Sequence, residues 1–381
     1  MIRSDTQATL SAARRVVVKV GSALIVAGDA PRRPWLAALA QDVAALRKKG
    51  KEVLIVSSGA VALGRAAVGI STGIAPDTIP LAQKQAASAV GQFHLFAAYS
   101  EAFLAHNLTA AQVLLTMAET ENRQSHLNAR AALEVLLARS ITPIINENDV
   151  VSTGEIRFGD NDRLAVRVAQ MVGAEAVVLL STVGGLYTAD PGRDSAARHI
   201  PRVEAIGPEH VEMAGEAVPG LSTGGMKSKV AAALSATRAG AALMIADGRD
   251  SHCVSRLHTG ALRATLFVPQ NNPLDARKRW LQAHLHPRGT LTVDAGAVSA
   301  LAKGGSLLPI GVTKVQGHFR RGDAVAIAAP DGARLGMGLT AYSDAEARAL
   351  AGRRSAEIPE ALGYAGPDTL IHRNDMVLFG V

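Results

Sequence analysis

Cysteine is nearly absent from this sequence, which has one, Cys253, in 381 residues. A single cysteine excludes a disulfide within the chain and is typical of a reducing compartment. Apart from His252, no histidine or cationic cluster flanks it, which favours a buried, inert thiol over a catalytic one.

Long apolar runs are also absent. No stretch approaches the roughly 18 uncharged apolar residues that a membrane helix needs, and the best candidate, 176–180, has Glu175 at its edge. Near the N-terminus, Lys19 interrupts an apolar run that is too short for the core of a signal peptide. We therefore expect a soluble, cytoplasmic protein with no membrane partner.

Several familiar motifs are missing as well. The chain has no G-x-x-x-x-G-K-[ST] loop, no G-x-S-x-G nucleophile elbow, and no heptads, low-complexity tract or long repeat. These absences disfavour a Walker-type nucleotide site, a nucleophilic serine and a repeat architecture.

What the chain does have is length, apolar content and positive charge. Its size favours about two domains, and 48% apolar residues suffice for sizeable cores. The net charge of +7 indicates an anionic partner, such as a nucleotide, a small acid or nucleic acid. Residues 1–287 hold 30 Lys and Arg against 24 Asp and Glu, whereas the remainder holds 10 against 9. The anionic partner is therefore expected in the larger, N-terminal part.

Apolar runs alternate with helical patterns through the first part of the chain. The predicted strands are 15–20, 52–56, 111–116, 141–145, 174–181 and 241–246. The predicted helices include 36–46, 81–106 and 121–139. This alternation predicts an α/β fold with a mainly parallel sheet covered on both faces.

After Phe267 the pattern changes. Residues 269–287 contain three prolines and a basic cluster, which is typical of a linker. Short segments then follow between Gly and Asp turns, the last of them TLIHR, residues 369–373. They predict a small, mostly β domain with one or two short helices, 344–350 among them. We place the domains at 1–276 and 277–381.

Four predicted strands end in small or polar residues: Gly21-Ser22, Ser57-Ser58-Gly59, Asn146 to Asp149, and Ser181-Thr182. Ligands of parallel α/β sheets bind beyond the carboxyl ends of the strands. Four such ends on one edge predict a site. The third begins an acidic stretch that runs to Asp162. Alone it is equally consistent with a solvated loop, but beside a buried strand its carboxylates need cationic or hydrogen-bonding partners.

Three segments could supply those partners. Lys19 either points to solvent at a strand edge or places a cation on transferring phosphate oxygens. Ser58-Gly59 opens a helix, whose backbone N–H groups bind anions. Residues 222–229, STGGMKSK, are either a plain glycine-rich loop or an anion cradle that leads into a helix bearing Lys227 and Lys229.

Phosphoryl transfer requires in-line positioning and cations on the moving group. Lys19 and Lys229 supply those cations in our hypothesis, and Asp162 between them relieves their repulsion. Asp149 then pairs with a substrate ammonium, while Asn161 and Ser58 bind a substrate carboxylate. This assembly describes a kinase that acts on an amino acid.

The same motifs occur in the same order in a known family. VVVKVGSALI, VSSGA, PIINENDVVSTGEIRFGDND, GGLYTADP and STGGMKSK resemble the bacterial glutamate 5-kinases over nearly the whole chain. The C-terminal TVDAGA and GSLLP segments resemble the PUA domain that many bacterial members carry.

The resemblance implies an amino acid kinase three-layer sandwich followed by a PUA domain. It implies conversion of ATP and L-glutamate to ADP and γ-glutamyl phosphate, the first step of proline biosynthesis. Mg²⁺ held by the nucleotide, feedback inhibition by proline and assembly into a dimer or tetramer are also implied.

By position, Lys19 falls on the nucleotide-binding lysine of the family, and Asp162 on the carboxylate expected to organise the two lysines. Ser58, Asp149 and Asn161 fall on the glutamate-binding residues. The nucleotide site further comprises Ser181, Thr182, Thr223, Gly224, Gly225, Met226, Lys227, Ser228 and Lys229.

The sequence departs from the family at a few positions. Ser181-Thr182 replaces the usual Thr-Asp, Ala23 replaces a hydroxyl residue, and Pro219 replaces a serine. None of these removes a charge from the proposed transfer site, so the departures bear on nucleotide preference more than on the reaction.

Two alternatives remain. Another carboxylate kinase of the same fold would act on N-acetylglutamate or aspartate. An RNA-binding role through the PUA domain is disfavoured, because residues 288–381 carry a net charge of only +1 and few aromatic rings.

Overall fold

The computed structural model describes residues 5–71, 73–75, 78–152, 160–215, 225–270 and 287–379. The chain forms two compact units, Met1–Pro273 and Leu274–Val381. The predicted boundary between 276 and 277 falls within 271–286, outside the described residues, and stays a prediction. No described helix is long and apolar enough to span a membrane.

The first unit is built on a sheet whose strands are the apolar runs of the sequence. The described strands are β1 (Arg15–Val20), β2 (Val26–Ala27), β3 (Ala30–Pro31), β4 (Glu52–Ser57), β5 (Ala110–Leu115), β6 (Thr142–Glu147), β7 (Ala176–Ser181), β8 (Leu186–Tyr187), β9 (His199–Ile200), β10 (Arg202–Val203), β11 (Ala242–Asp247) and β12 (Ala264–Phe267). Within the described ranges, eight strands form one sheet in the order β10-β12-β11-β7-β1-β4-β6-β5. Its neighbours pair in parallel except β11 and β12. The predicted mainly parallel sheet is confirmed.

The helices of this unit lie between its strands in chain order, except α1, which precedes β1. They are α1 (Asp5–Ala12), α2 (Ser22–Ile25), α3 (Arg33–Lys48), α4 (Ala60–Gly64), α5 (Leu81–Leu104), α6 (Met117–Glu121), α7 (Arg123–Ala138), α8 (Asp160–Val172), α9 (Pro208–Met213), α10 (Met226–Arg238) and α11 (Cys253–His258). The prediction of one helix over 121–139 is wrong at its start. Asn122 has extended backbone and its side chain accepts the Ser125 N–H at 3.0 Å, so it caps a new helix.

Strand β1 shows how the layers arise. Its side chains alternate between the two faces of the sheet. Val16, Val18 and Val20 belong to one hydrophobic cluster, which includes Leu36 of α3. Val17 belongs to the other, which includes residues of α8 and α10. Both faces are therefore covered by helices, and the three-layer prediction is confirmed.

The second unit is a small, mainly β domain with its own core. Its described strands are β13 (Gly289–Val293), β14 (Val312–Gly317), β15 (Ala324–Ala328), β16 (Arg334–Leu339) and β17 (Met376–Leu378), in the sheet order β14-β13-β15-β16-β17. Its described α-helices are α12 (Ala295–Ala302), α13 (Asp344–Leu350) and α14 (Ile358–Leu362).

Two predictions for this unit are wrong in detail. TLIHR forms no extended strand, because only Ile371 makes an isolated bridge, to Leu307. The last strand is β17, which begins at Met376, three residues after TLIHR ends. The described part also contains three α-helices, where one or two were expected.

Candidate active site

The predicted strand ends lie side by side. Strands β7, β1, β4 and β6 are consecutive neighbours in the sheet, and Val20 of β1 pairs with Ser57, the last residue of β4. Ser181 ends β7, and Asn146 and Glu147 end β6. Since these strands are parallel, their carboxyl ends meet at one edge of the sheet.

On this edge, two lysines contact one carboxylate. Lys19 Nζ lies 2.7 Å from Asp162 Oδ1, and Lys229 Nζ lies 3.0 Å from Asp162 Oδ2. Alternation along β1 turns Lys19 to the same face as Val17, where α8 and α10 pack. Asp162 lies in the first turn of α8, and Lys229 in the first turn of α10. The fold thus brings together groups that are far apart in the sequence.

This cluster is buried. Lys19 and Lys229 are each 7% exposed, and Asp162 is 0% exposed. Burial alone would raise the pKa of the Asp162 carboxyl, but the two ammonium groups outweigh burial and hold that pKa below its usual value. Burial lowers the pKa of Lys229; Asp162 opposes this shift, Lys19 adds to it, and the pKa stays below its ordinary value. The carboxylate is therefore ionised at neutral pH. With both lysines protonated, the cluster carries one net positive charge.

A second group of side chains lies next to the first. Asn161, adjacent to Asp162, donates from Nδ2 to Ser58 Oγ at 2.8 Å and to Asn146 Oδ1 at 3.1 Å. Its own Oδ1 is buried and has no hydrogen-bond partner among the described residues. As placed, Asn161 offers a substrate an acceptor rather than a donor.

Asp149, the predicted ammonium partner, is 6% exposed. Its Oδ2 accepts a hydrogen bond from Ser88 Oγ of α5 at 2.5 Å. A cleft of about 340 Å³ lies beside it, lined by residues of α5, by β5 and by the segment 147–150. Asp149 therefore lies at the wall of this cleft together with Gln92, which contacts Asn146.

The predicted nucleotide segments are placed in part. Ser181 is half-buried and Thr182 exposed. Gly225 precedes α10, in which Lys227 is exposed and Ser228 Oγ donates to Gly225 O at 2.9 Å. Met226, the first residue of α10, is half-buried. Thr223 and Gly224 lie outside the described residues. The N-terminus of a 13-residue helix, where the helix dipole is positive, suits an anion.

Known proteins resemble this chain over nearly its whole length. The model of the amino acid kinase family matches residues 14–247, more than half of the chain, and a PUA domain model matches 289–362. The chain belongs to the amino acid kinase family. Curated relatives of this amino acid kinase include the glutamate 5-kinase of Dinoroseobacter shibae, 55% identical over 97% of this chain and 100% of the relative. The glutamate 5-kinase of a Ruegeria species is 52% identical over the same shares. Among solved structures, a UMP kinase from Bacillus anthracis is 12% identical, with a TM-score of 0.47, over 68% of this chain and 97% of that one.

The amino acid kinase site also includes residues that the sequence did not single out. Ser88 and Gln92, both on α5, hold Asp149 and Asn146. Gln85, Ser88 and Gln92 follow one another at steps of three and four residues, which places them on one side of a helix. This polar stripe is a signal that the sequence contains. Among the described residues, no group of three or more His, Cys, Asp or Glu side chains is arranged to hold a metal.

Proposed function

We propose that this chain phosphorylates the γ-carboxylate of L-glutamate with ATP. The observation that carries the proposal is the buried cluster of Lys19, Asp162 and Lys229 beside Asp149, Ser58 and Asn161. One half suits a phosphoryl group and the other an amino acid. Full-length relatives named glutamate 5-kinase support the choice of acid.

The reaction needs positioning and charge compensation more than proton transfer. A γ-carboxylate oxygen attacks the γ-phosphorus, the bond from that phosphorus to the bridging oxygen breaks, and ADP leaves. Glutamate is ionised at neutral pH, so no base has to remove a proton. Asp162 instead holds Lys19 and Lys229 where charge develops on the moving group.

The acceptor side distinguishes a free amino acid from an acylated one. We assign the substrate ammonium to Asp149, with Asn161 Oδ1 as a second acceptor. A hydroxyl that accepts one hydrogen bond can donate another, so Ser58, which accepts from Asn161, donates to the α-carboxylate. From the sequence we expected Asn161 to bind a substrate carboxylate together with Ser58. Because the Asn161 Nδ2 group already donates to Ser58 and Asn146, its remaining oxygen suits the substrate ammonium better.

The nucleotide side consists of Lys19, Ser181-Thr182 and the segment 223–229 that leads into α10. The phosphate oxygens of the nucleotide would hold Mg²⁺, a hard cation that prefers such ligands, and the metal would supply positive charge there. Thr182, in place of an aspartate, cannot make a charged contact, so this position bears on nucleotide preference.

Further parts of this proposal concern the wider role of the protein. The reaction is the first step of proline biosynthesis, takes place in the cytoplasm and is subject to feedback inhibition by proline. Assembly of the chain into a dimer or tetramer belongs to the same proposal, as does the absence of an RNA partner.

Trapping the acyl phosphate with hydroxylamine tests the substrate directly. L-Glutamate, L-aspartate and N-acetyl-L-glutamate are compared at equal concentrations with Mg-ATP, and each hydroxamate is quantified. We expect the largest kcat/KM for L-glutamate. An N-acetylated acid has no ammonium for Asp149, so a preference for N-acetylglutamate would overturn the assignment.

A further inference from the structure

A polar stripe runs along helix α5 and faces the acceptor half of the site. Its members, which we call the α5 stripe, are Gln85, Ser88, Gln92 and Tyr99. Steps of three, four and seven residues keep them on one side of the helix. Each bonds to the end of β4, to the end of β6 or to the segment that follows β6.

Gln92 lies at the start of a chain of side-chain amides. Its Oε1 accepts from Asn146 Nδ2 at 2.8 Å, and Asn146 Oδ1 accepts from Asn161 Nδ2 at 3.1 Å. Gln92 is 9% exposed and Asn146 3%. Because each amide has a donor end and an acceptor end, fixing the first fixes the direction of the others. The direction seen here leaves Asn161 Oδ1 as the acceptor for the substrate.

Ser88 acts on the other acceptor residue. It is 3% exposed, and its hydroxyl donates to Asp149 Oδ2. A hydrogen bond to a carboxylate in a buried setting fixes the rotamer of that carboxylate. One turn earlier, Gln85 Nε2 donates to the backbone oxygens of Val150 and Ser152 at 3.4 and 3.3 Å. The stripe thus holds both the carboxylate and the backbone that follows it.

The far end of the stripe reaches β4, the strand that Ser58 follows. Tyr99 is 0% exposed, and its hydroxyl donates to Ser57 Oγ at 3.1 Å. Ser57 Oγ in turn donates to the Ser58 carbonyl oxygen at 3.0 Å. A single helix therefore contacts both strand ends that form the acceptor half.

We propose that the α5 stripe is the positioning element of the acceptor site, in which Gln92 orients the amides of Asn146 and Asn161 and Ser88 orients Asp149. This inference rests on the proposed function, because the acceptor is taken to be an amino acid. It predicts that damage to the stripe weakens acid binding and leaves nucleotide binding intact.

The test compares Gln92→Met with Gln83→Met. Methionine keeps the length of the side chain at Gln92 but offers no oxygen to Asn146, whereas Gln83 is exposed on the same helix and serves as the matched control. Loss of one buried hydrogen bond predicts about a tenfold rise in the KM for glutamate. The KM for ATP should change by less than about twofold, and Gln83→Met should resemble wild type.

A double mutant separates orientation from packing. If Gln92 acts through Asn146, the double mutant Gln92→Met/Asn146→Ala should have the same KM for glutamate as Asn146→Ala alone. Independent effects would instead give a fold-increase equal to the product of the two single-mutant increases. An unchanged glutamate KM in Gln92→Met, multiplying effects, or equal rises in both KM values with a lower melting temperature would each overturn the inference. If the substrate assignment were wrong, the wild-type protein would already prefer another acid in the hydroxylamine assay. That result distinguishes a failure of the proposed function from a failure of this inference.

Discussion

Two ammonium groups and one carboxylate meet where none of them is well solvated. A buried charge is tolerated only when it is paired, and removing one partner leaves the other uncompensated. Asp162 is shared between Lys19 and Lys229, so the cluster keeps one positive charge in excess. An excess cation at the edge of a sheet is what a transferring phosphoryl group requires.

Lys229→Ala tests the role of that excess charge. Removal of one cation that acts in the transition state should lower kcat by about 10²- to 10³-fold, while Lys19 and Asp162 remain a neutral pair. The KM for glutamate should change little. Steady-state kinetics with both substrates measure the effects on kcat and on KM separately. Lys48→Ala, at an exposed position on α3, is the control. A raised KM with an unchanged kcat would show that Lys229 only binds substrate.

The pKa of Lys229 predicts a pH dependence. It lies below the ordinary 10.5, so raising the pH through the folded-state value removes the proton, and kcat should fall on the alkaline side below 10.5. Between the folded-state pKa of Lys229 and 10.5, the unfolded chain binds this proton and the folded protein does not. The contribution of Lys229 to the free energy of unfolding therefore rises with pH over that range.

Lys229→Arg provides the comparison for this pH profile. Arginine stays charged throughout this range, so the alkaline limb should move to higher pH in profiles of kcat normalised to their maxima. An unmoved limb would assign the titration to another group.

Among the elements, helices α4 and α5 touch more closely than a side chain would allow. A Cβ added at Gly91 would lie 1.8 Å from the Ala60 carbonyl oxygen, and one at Gly64 would lie 1.8 Å from that of Ala87. These obstacles are backbone atoms, so the helices would have to separate. The contact fixes α4, which follows Ser58, against the helix that carries the α5 stripe.

Gly91→Ala should therefore destabilise the protein although alanine favours helices by about 1 kcal/mol. Overpacking of a tight contact predicts a net loss of about 1–3 kcal/mol in the free energy of unfolding, with a raised KM for glutamate. Urea denaturation measures the first effect. Ala86→Ser, exposed on α5, should stay within about 0.5 kcal/mol of wild type; a more stable Gly91→Ala protein would contradict the packing argument.

The same elements show what the sequence could predict. The runs of β1, β4, β6, β7 and β11 are apolar because both of their faces are covered, and this made them recognisable. Strand β12 was missed because it has four residues, and its antiparallel pairing depends on contacts with β11. Asn122 was read as helix interior although it caps a helix. The lengths of strands and the positions of helix caps depend on contacts with other parts of the fold, which a local sequence pattern does not contain.

For the site, strand ends and charges led to Lys19, Asp162 and Lys229, because lone charges beside buried strands need partners. Ser88 and Gln92 were not identified, since a serine and a glutamine in a helix carry no such requirement. Their partners, Asp149 and Asn146, lie 61 and 54 residues away in the chain. Only the fold reveals these contacts.

At the scale of the whole molecule, each of the two units has a hydrophobic core of its own. From residue 288 onward the chain carries a net charge of +1, and some of its cations are already paired, as Arg348 is with Asp344 at 2.7 Å. Strong attraction to phosphate backbones requires several uncompensated cations. Residues 288–381 thus lack the charge excess of a general RNA-binding surface.

A fragment that begins at Arg288, and so leaves out the basic residues 277–279, should accordingly show no salt-sensitive binding to RNA. Fluorescence anisotropy with a labelled single-stranded oligonucleotide between about 50 and 200 mM salt would detect it, since phosphate contacts weaken steeply over that range. Circular dichroism confirms that the fragment is folded. Affinity that falls sharply with salt would reopen an RNA-binding role.

Asn161 and Asp162 are consecutive residues at the start of α8, yet in our proposal one binds the acid and the other holds the cations that contact the phosphoryl group. A movement of that turn cannot alter one half of the site and spare the other. The two substrates should therefore bind cooperatively, each strengthening the other by the same factor, as thermodynamic linkage demands. Titration of glutamate with and without a non-hydrolysable nucleotide would give that factor.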